Sequence, residues 1–206
     1  MFLSALFANP VFFLRVVFII IFSITIHELA HGVAAMSQGD DTPQKSGHIT
    51  FNPVVHMGWH AIVFLCVAGI AWGQMPVNPE NFRRSRWGQI VVAIAGPAAN
   101  LGLAILALLL MQAQIHQGSP VSLEFLFLVA RINFVLFLLN LIPIPPLDGF
   151  QVFSEAFPGL KPAQDSPFAL FALMLLFLMP GFSEWLSTIA DIVIQACVGI
   201  RLVALQ

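Results

Sequence analysis

Long apolar stretches are the feature that most constrains this chain, because they leave it few ways to fold in water. Four runs reach the length of about 20 residues that crosses a bilayer: residues 11–37, 87–111, 123–142 and 185–203. Only 9% of the 206 residues are charged, whereas a soluble domain has about 25%. The sequence therefore predicts an all-α, polytopic integral membrane protein embedded in a lipid bilayer.

Two shorter apolar runs complete the predicted architecture. Residues 168–179 would cross the bilayer if the residues before them extended the helix, and residues 61–72 fit a re-entrant or interfacial segment better than a span. We therefore expect five to six apolar helices in a single membrane-embedded domain, residues 1–206. Residues 47–51 (Gly-His-Ile-Thr-Phe) are β-prone, which predicts a short strand whose edge would pair with an extended substrate.

Charge placement predicts the orientation. Arg83, Arg84 and Arg86 form the densest basic cluster, so the loop at residues 78–86 should face the cytoplasm. If residues 61–72 are re-entrant, the first span then ends on the cytoplasmic side. We expect a multi-pass protein of the plasma or inner membrane with its site toward the cytoplasm. The net charge of −2 gives no basic surface for nucleic acid.

The sharpest motif is His27-Glu28-Leu29-Ala30-His31, an H-E-x-x-H inside the first apolar run. Two His four residues apart project from one helix face and can bind one zinc ion, while the Glu beside them can accept a proton from water. His and Glu within a span are costly, which favours a functional role. The alternative is a pair of core histidines hydrogen-bonded to neighbouring helices.

A catalytic zinc ion with two His ligands needs a third protein ligand and an open position for water. Most of the ten acidic residues lie in loops or near span ends, but Asp148 follows the proline-rich residues 140–147 and precedes Gly149. The prolines must end a helix there, and irregular backbone at membrane depth is tolerated beside a water-filled cavity. The alternative reading makes Asp148 an N-cap of the next helix.

Three motifs in order resemble the site-2 protease family of intramembrane zinc metalloproteases: residues 27–32 (His-Glu-Leu-Ala-His-Gly), 95–100 (Ala-Gly-Pro-Ala-Ala-Asn) and 140–149. The chain is most similar to compact members without a PDZ domain. The resemblance implies His27, His31 and Asp148 as ligands of one Zn²⁺ per chain and Glu28 as the catalytic base. It also implies entry of water from the cytoplasmic side, and Asn140 as a polar group near the substrate peptide or the oxyanion.

Other polar residues leave alternatives open. Asn100 is an amide within a span and should have a partner or line the active-site cavity. His56 follows Asn52 and Pro53, but the Asp-Pro that compact relatives often carry after this His is missing. His48, His56 and His60 are read as loop or interfacial residues rather than as a second metal site. Arg131 is an intramembrane charge that requires a partner.

Together these features predict a zinc metalloendopeptidase that hydrolyses peptide bonds in or near transmembrane segments of membrane proteins. The expected partners are such a substrate, the lipid bilayer and a regulatory membrane protein of unknown identity. The main alternative is a catalytically inactive or transport-type membrane protein that binds metal or membrane partners without hydrolysis. A transporter would be expected to show paired half-helices or an internal repeat, and the sequence shows no such pattern. An inactive relative would be expected to lack Glu28 or a metal ligand, and the sequence keeps all of these residues.

Overall fold

The computed structural model of the protein describes residues 2–117, 122–163 and 168–198, and the regular structure within them is helical. The predicted all-α class is therefore confirmed for this part of the chain. The helices are α1 (Ser4–Ala8), α2 (Pro10–Ser37), α3 (Thr42–Lys45), α4 (Pro53–Ala68), α5 (Ser85–Gln117), α6 (Leu123–Asn140), α7 (Asp148–Ala156), α8 (Phe168–Leu178) and α9 (Phe182–Val198). Two short 3₁₀ helices, Pro79–Asn81 and Pro158–Ala163, lie between them.

Among the described residues, three helices, α2, α5 and α6, are long and apolar enough to cross a membrane. The pair α8 and α9 would add a fourth span if its 72° bend is one broken crossing. The predicted number of five to six is thus not confirmed. The reason is length: α4 has 16 residues, about 24 Å at 1.5 Å per residue, and a bilayer core is about 30 Å thick. Residues 199–203 of the fourth predicted run lie outside the described residues.

The predicted strand at residues 47–51 is also not confirmed, because these residues form a turn and bends. Their backbone amides are used locally instead of in a strand ladder. The His48 amide donates to the Pro43 carbonyl at 2.9 Å, and the Thr50 amide donates to the His48 carbonyl at 3.0 Å. Gly47, with φ of 73°, turns the chain after α3.

The described chain divides into two compact units, Met1–Ala99 and Asn100–Gln206. In the first unit, α2 packs against α1, α3 and α4. Two small cores form along α2, one from Ile24, Met57 and Ala61 and the other from Ala35, Phe82 and Val92. The boundary falls inside α5, so the single-domain organisation stays a prediction.

The second unit is built on α6 and α9, and an ion pair joins these two helices. Arg131 Nε lies 2.8 Å from Asp191 Oδ1, and Arg131 Nη2 donates to Asp191 Oδ2 at 3.0 Å. The pair thus combines one charge-assisted hydrogen bond with a second close contact between the charged groups. Asp191 is therefore the partner that Arg131 requires inside an apolar helix.

This ion pair makes a stability prediction. Asp191→Asn or Arg131→Gln alone should lower the free energy of unfolding by roughly 1–3 kcal/mol, because each leaves one charge without its partner in a partly exposed site. The double variant should recover part of that loss, since no lone charge remains. Thermal unfolding in detergent measures this, with Glu184→Gln, an exposed change on α9, as the control. Single variants as stable as the control would contradict a stabilising pair.

Candidate active site

The two histidines of the H-E-x-x-H motif converge on one point. Both lie on α2, are 8% exposed, and bring their Nε2 atoms to 3.0 Å from one another. Two nitrogens bound to one tetrahedral zinc ion at about 2.0–2.1 Å lie about 3.3–3.4 Å apart. The two side chains thus meet as their four-residue spacing predicts, and the distance fits a shared metal ion with a small adjustment. Their role as ligands stays a prediction.

The orientation of the His31 ring is fixed by a hydrogen bond that it donates to another helix. Its Nδ1 lies 2.7 Å from the backbone carbonyl of Val92 on α5. A carbonyl oxygen can only accept, so in the neutral imidazole Nδ1 carries the proton and Nε2 keeps its lone pair. Metal-binding histidines are commonly fixed in this way by a hydrogen bond at the other ring nitrogen.

Gly96 on α5 makes room for this pair. A side-chain Cβ built on Gly96 would lie less than 3.0 Å from the Nε2 atoms of both His27 and His31. Any larger residue would therefore occupy the space that a metal ion needs. In the sequence, the signal for this role is the place of Gly96 beside Pro97 in the second family motif.

Glu28 lies beside the pair and against an extended segment. It is 7% exposed, and a Cβ built on Gly73 would lie less than 3.0 Å from its Oε1 and Cγ atoms. The backbone at Gly73 therefore passes directly over the carboxylate. Sequence reasoning did not identify Gly73, since nothing local marks a glycine that packs on a residue so distant in the chain.

In the second unit, Asp148 is the first residue of α7 and is buried. The predicted helix end before the prolines is confirmed, because α6 stops at Asn140. Gly149 is required by the close return of the chain, as a Cβ there would lie less than 3.0 Å from the Leu141 and Ile142 carbonyl oxygens. Asp148 is thus held at a helix start rather than on a long exposed loop.

The two asparagines differ in their contacts within this second unit. Asn100 is fully buried, and its amide donates to Asn133 Oδ1 at 3.1 Å, while Asn133 donates to the Val129 carbonyl. Asn100 thus has a helix-packing role. Asn140 is half-buried at the end of α6 and donates to the Leu136 carbonyl at 3.0 Å. A role in binding substrate or the oxyanion stays a prediction for both.

His48, His56 and His60 have local surroundings. His56 Nε2 donates to the Thr50 carbonyl at 2.7 Å, and His48 Nδ1 lies near the Ser46 carbonyl and hydroxyl. His60 is exposed on α4 beside Trp59. Across the ranges that the structure describes, these three do not join any second cluster of His, Cys or acidic side chains suited to a metal ion.

Comparison with known proteins decides the family. The sequence profile described as "Peptidase family M50" matches residues 15–118 and 113–180. The chain belongs to peptidase family M50, the site-2 protease family. "Putative zinc metalloprotease YwhC" of Bacillus subtilis is 34% identical over 172 residues, which cover 78% of each chain. No solved structure matches this chain.

Other relatives of this M50 protein carry similar names. "Putative zinc metalloprotease Rip2" of Mycobacterium tuberculosis is 30% identical over 178 residues, which cover 79% of this chain and 66% of the relative. "Putative zinc metalloprotease sll0528" of Synechocystis is 32% identical over 130 residues, but the match covers only 28% of that protein. The family and these relatives identify the chain as a zinc metalloprotease. Its long apolar helices identify it as an integral membrane protein.

The geometry around Gly96 makes a direct prediction for this M50 protein. Gly96→Ala should weaken zinc affinity at least tenfold, because the added methyl group meets the Nε2 atoms of both His27 and His31. Chelator competition measures the affinity, and circular dichroism checks that the helices are kept. Gly102→Ala on the same helix is the matched control, since a Cβ there meets nothing within 4 Å. Equal zinc affinity in the two variants would show that Gly96 does not border the metal.

Proposed function

We propose that this protein hydrolyses peptide bonds in or next to the transmembrane segments of membrane proteins. In this proposal His27, His31 and Asp148 hold one zinc ion, and Glu28 is the general base. The observation that carries it is the convergence of two buried Nε2 atoms on a helix long enough to cross a membrane, with Glu28 beside them.

The donor chemistry supports a catalytic rather than a structural zinc site. Two imidazoles and one carboxylate are the ligand types of hydrolytic zinc enzymes, and three protein ligands leave one position open for water or substrate. Structural sites are instead closed by four ligands, usually including Cys. Each of the three side chains here is buried, and buried charges in a membrane protein require a partner or a metal ion.

Each residue of the motif has a separate role in the proposed reaction. When bound, zinc would supply a lower pKa for water and polarise the scissile carbonyl. The Glu28 carboxylate would take a proton from the attacking water and later deliver it to the leaving nitrogen. His31 contributes a fixed lone pair, because its other ring nitrogen is held by Val92. The burial of these side chains limits their contact with bulk water, which strengthens these electrostatic interactions.

The depth of the motif supports cleavage within the membrane. His27 and His31 lie 10 and 6 residues before the end of α2 at Ser37, about 15 and 9 Å along the helix axis. A peptide bond that reaches this position must come from a segment inside the bilayer or at its edge. Such a segment must also be locally unwound, since helical amides are hydrogen-bonded within the helix.

A hydrogen bond between two helix ends supports a cytoplasmic site. The Arg83 amide donates to the Gln38 carbonyl at 2.8 Å, so the end of α2 lies at the same level as the exposed basic cluster around the start of α5. Basic clusters face the cytoplasm. The chain between these two points then enters and leaves on one side, which favours a re-entrant or interfacial α4.

Zinc content tests the ligand set. Purified wild type should hold about one zinc per chain, and both His31→Ala and Asp148→Ala should lose it, because two protein ligands hold zinc poorly. Elemental analysis of the detergent-purified protein measures the ratio. His60→Ala and Asp41→Ala, which change exposed residues, are the matched controls. Zinc retained in Asp148→Ala would show that the third ligand is another residue.

Cleavage of a defined reporter tests the role of Glu28. The reporter carries one Leu/Ala transmembrane helix with a central Gly-Pro pair between two soluble tags. Glu28→Gln should keep its zinc but cut the reporter about 10²- to 10⁴-fold more slowly, the usual contribution of a general base. Gel analysis after reconstitution measures the rate. Unchanged cleavage by Glu28→Gln would exclude Glu28 as the base, and no cleavage by zinc-loaded wild type would contradict intramembrane proteolysis.

A further inference from the structure

An extended segment, residues 70–78, which we name the strap, runs along α2 beside the catalytic motif. It begins after Gly69, the left-handed residue that ends α4. Gly73 of the strap lies against Glu28, and the Met75 side chain lies against Gly32, where an added Cβ would be 3.0 Å from Met75 Cε. The strap therefore follows α2 for one helical turn, since two extended residues and four helical residues both cover about 6–7 Å.

The strap is held at two places. Near its middle, the Gln74 amide donates to the His56 carbonyl at 3.0 Å. At its end, the Asn78 amide donates to Asp40 Oδ2 at 2.7 Å, and the Asn81 side chain donates to Asp40 Oδ1 at 3.0 Å. The contact of Gly73 with Glu28 thus lies next to the first attachment and five residues before the second.

Asp40 is itself firmly fixed. It lies in the loop after α2 and is fully buried. Besides the two bonds from the strap side, it accepts hydrogen bonds from the Thr42 amide at 3.1 Å and the Thr42 hydroxyl at 2.5 Å. Four donors satisfy one carboxylate, and none of them is a basic side chain. Such an arrangement is specific for a carboxylate, because an amide side chain has only one oxygen acceptor.

The charge state of Asp40 agrees with an anchoring role. Burial raises the pKa of this carboxyl, but hydrogen bonds from Thr42, Asn78 and Asn81 lower it, and the net result is a pKa below the ordinary value. Asp40 is therefore ionised at neutral pH, and hydrogen bonds to an ionised acceptor are about twice as strong as neutral ones.

We infer that Asp40 is a positioning residue for Glu28, acting through the strap that it anchors. This inference rests on the proposed function, because it assumes that Glu28 is the base. The strap backbone at Gly73 limits where the Glu28 carboxylate can move and covers it from that side. Release of the strap would let the carboxylate leave its productive position, and a displacement of about 1 Å in such a group can cost about 10²-fold in rate.

Kinetics of the Gly-Pro reporter tests the inference. Asp40→Ala should lower kcat about 10- to 100-fold with KM within about twofold and zinc content unchanged, because the ligands are not altered. Asp40→Asn should fall between Asp40→Ala and wild type, since it keeps one oxygen acceptor. The matched control is Asp41→Ala, which removes an exposed neighbour that pairs with Lys45 at 2.7 Å. A kcat for Asp40→Ala within twofold of this control would overturn the inference.

Amide hydrogen exchange provides a readout independent of activity. In zinc-loaded protein in nanodiscs, a peptide covering residues 70–82 should exchange faster in Asp40→Ala than in wild type or Asp41→Ala. Unchanged exchange in Asp40→Ala would overturn the inference. Loss of zinc or of folding in both Asp40→Ala and Asp40→Asn would also overturn it, because Asp40 would then be needed for the general fold. Full activity in Glu28→Gln would overturn both the proposed function and this positioning role. An inactive Glu28→Gln together with a fully active Asp40→Ala would overturn only the positioning role and leave the proposed function in place.

Discussion

The structure of this M50 protein depends on how an apolar helix accommodates two imidazoles and a carboxylate. Each of these groups is costly inside a membrane unless something satisfies it. For His31, the Val92 carbonyl on α5 satisfies one ring nitrogen and leaves the other directed at His27. On the same helix, Gly96 has no side chain, which leaves space for both nitrogens. Helix α5 thus shapes the site as much as α2 does.

The sequence predicted those features that follow from local spacing. The convergence of His27 and His31 follows from an interval of four residues on a helix, and the end of α6 at Asn140 follows from the prolines after it. The roles of Gly73 and Gly96 could not be predicted, because each depends on which residue of α2 packs against it. The predicted strand at residues 47–51 failed because β-propensity is overridden by local turn hydrogen bonds.

Contacts distant in the sequence also explain the residues that pattern reasoning left without a role. Arg131 required a partner, and the structure provides Asp191, sixty residues away, on α9. Asp40 carried no signal in the sequence beyond its charge. Its importance appears only once the strap returns to α2 and brings Asn78 and Asn81 to it. In both cases a charged side chain joins two segments of the chain. These charges therefore hold the segments in place, whereas an exposed charge would mainly affect solubility.

X-ray absorption spectroscopy at the zinc edge of the purified, zinc-loaded protein tests the central claim most directly. The account predicts imidazole nitrogens at about 2.0–2.1 Å and oxygens at about 2.0–2.2 Å, with no sulfur near 2.3 Å. It also predicts that His31→Ala, prepared in the same way, shows no zinc signal above background, and that His60→Ala leaves the spectrum unchanged. A sulfur ligand, or a spectrum of His31→Ala identical to that of wild type, would contradict a zinc centre built on the H-E-x-x-H helix.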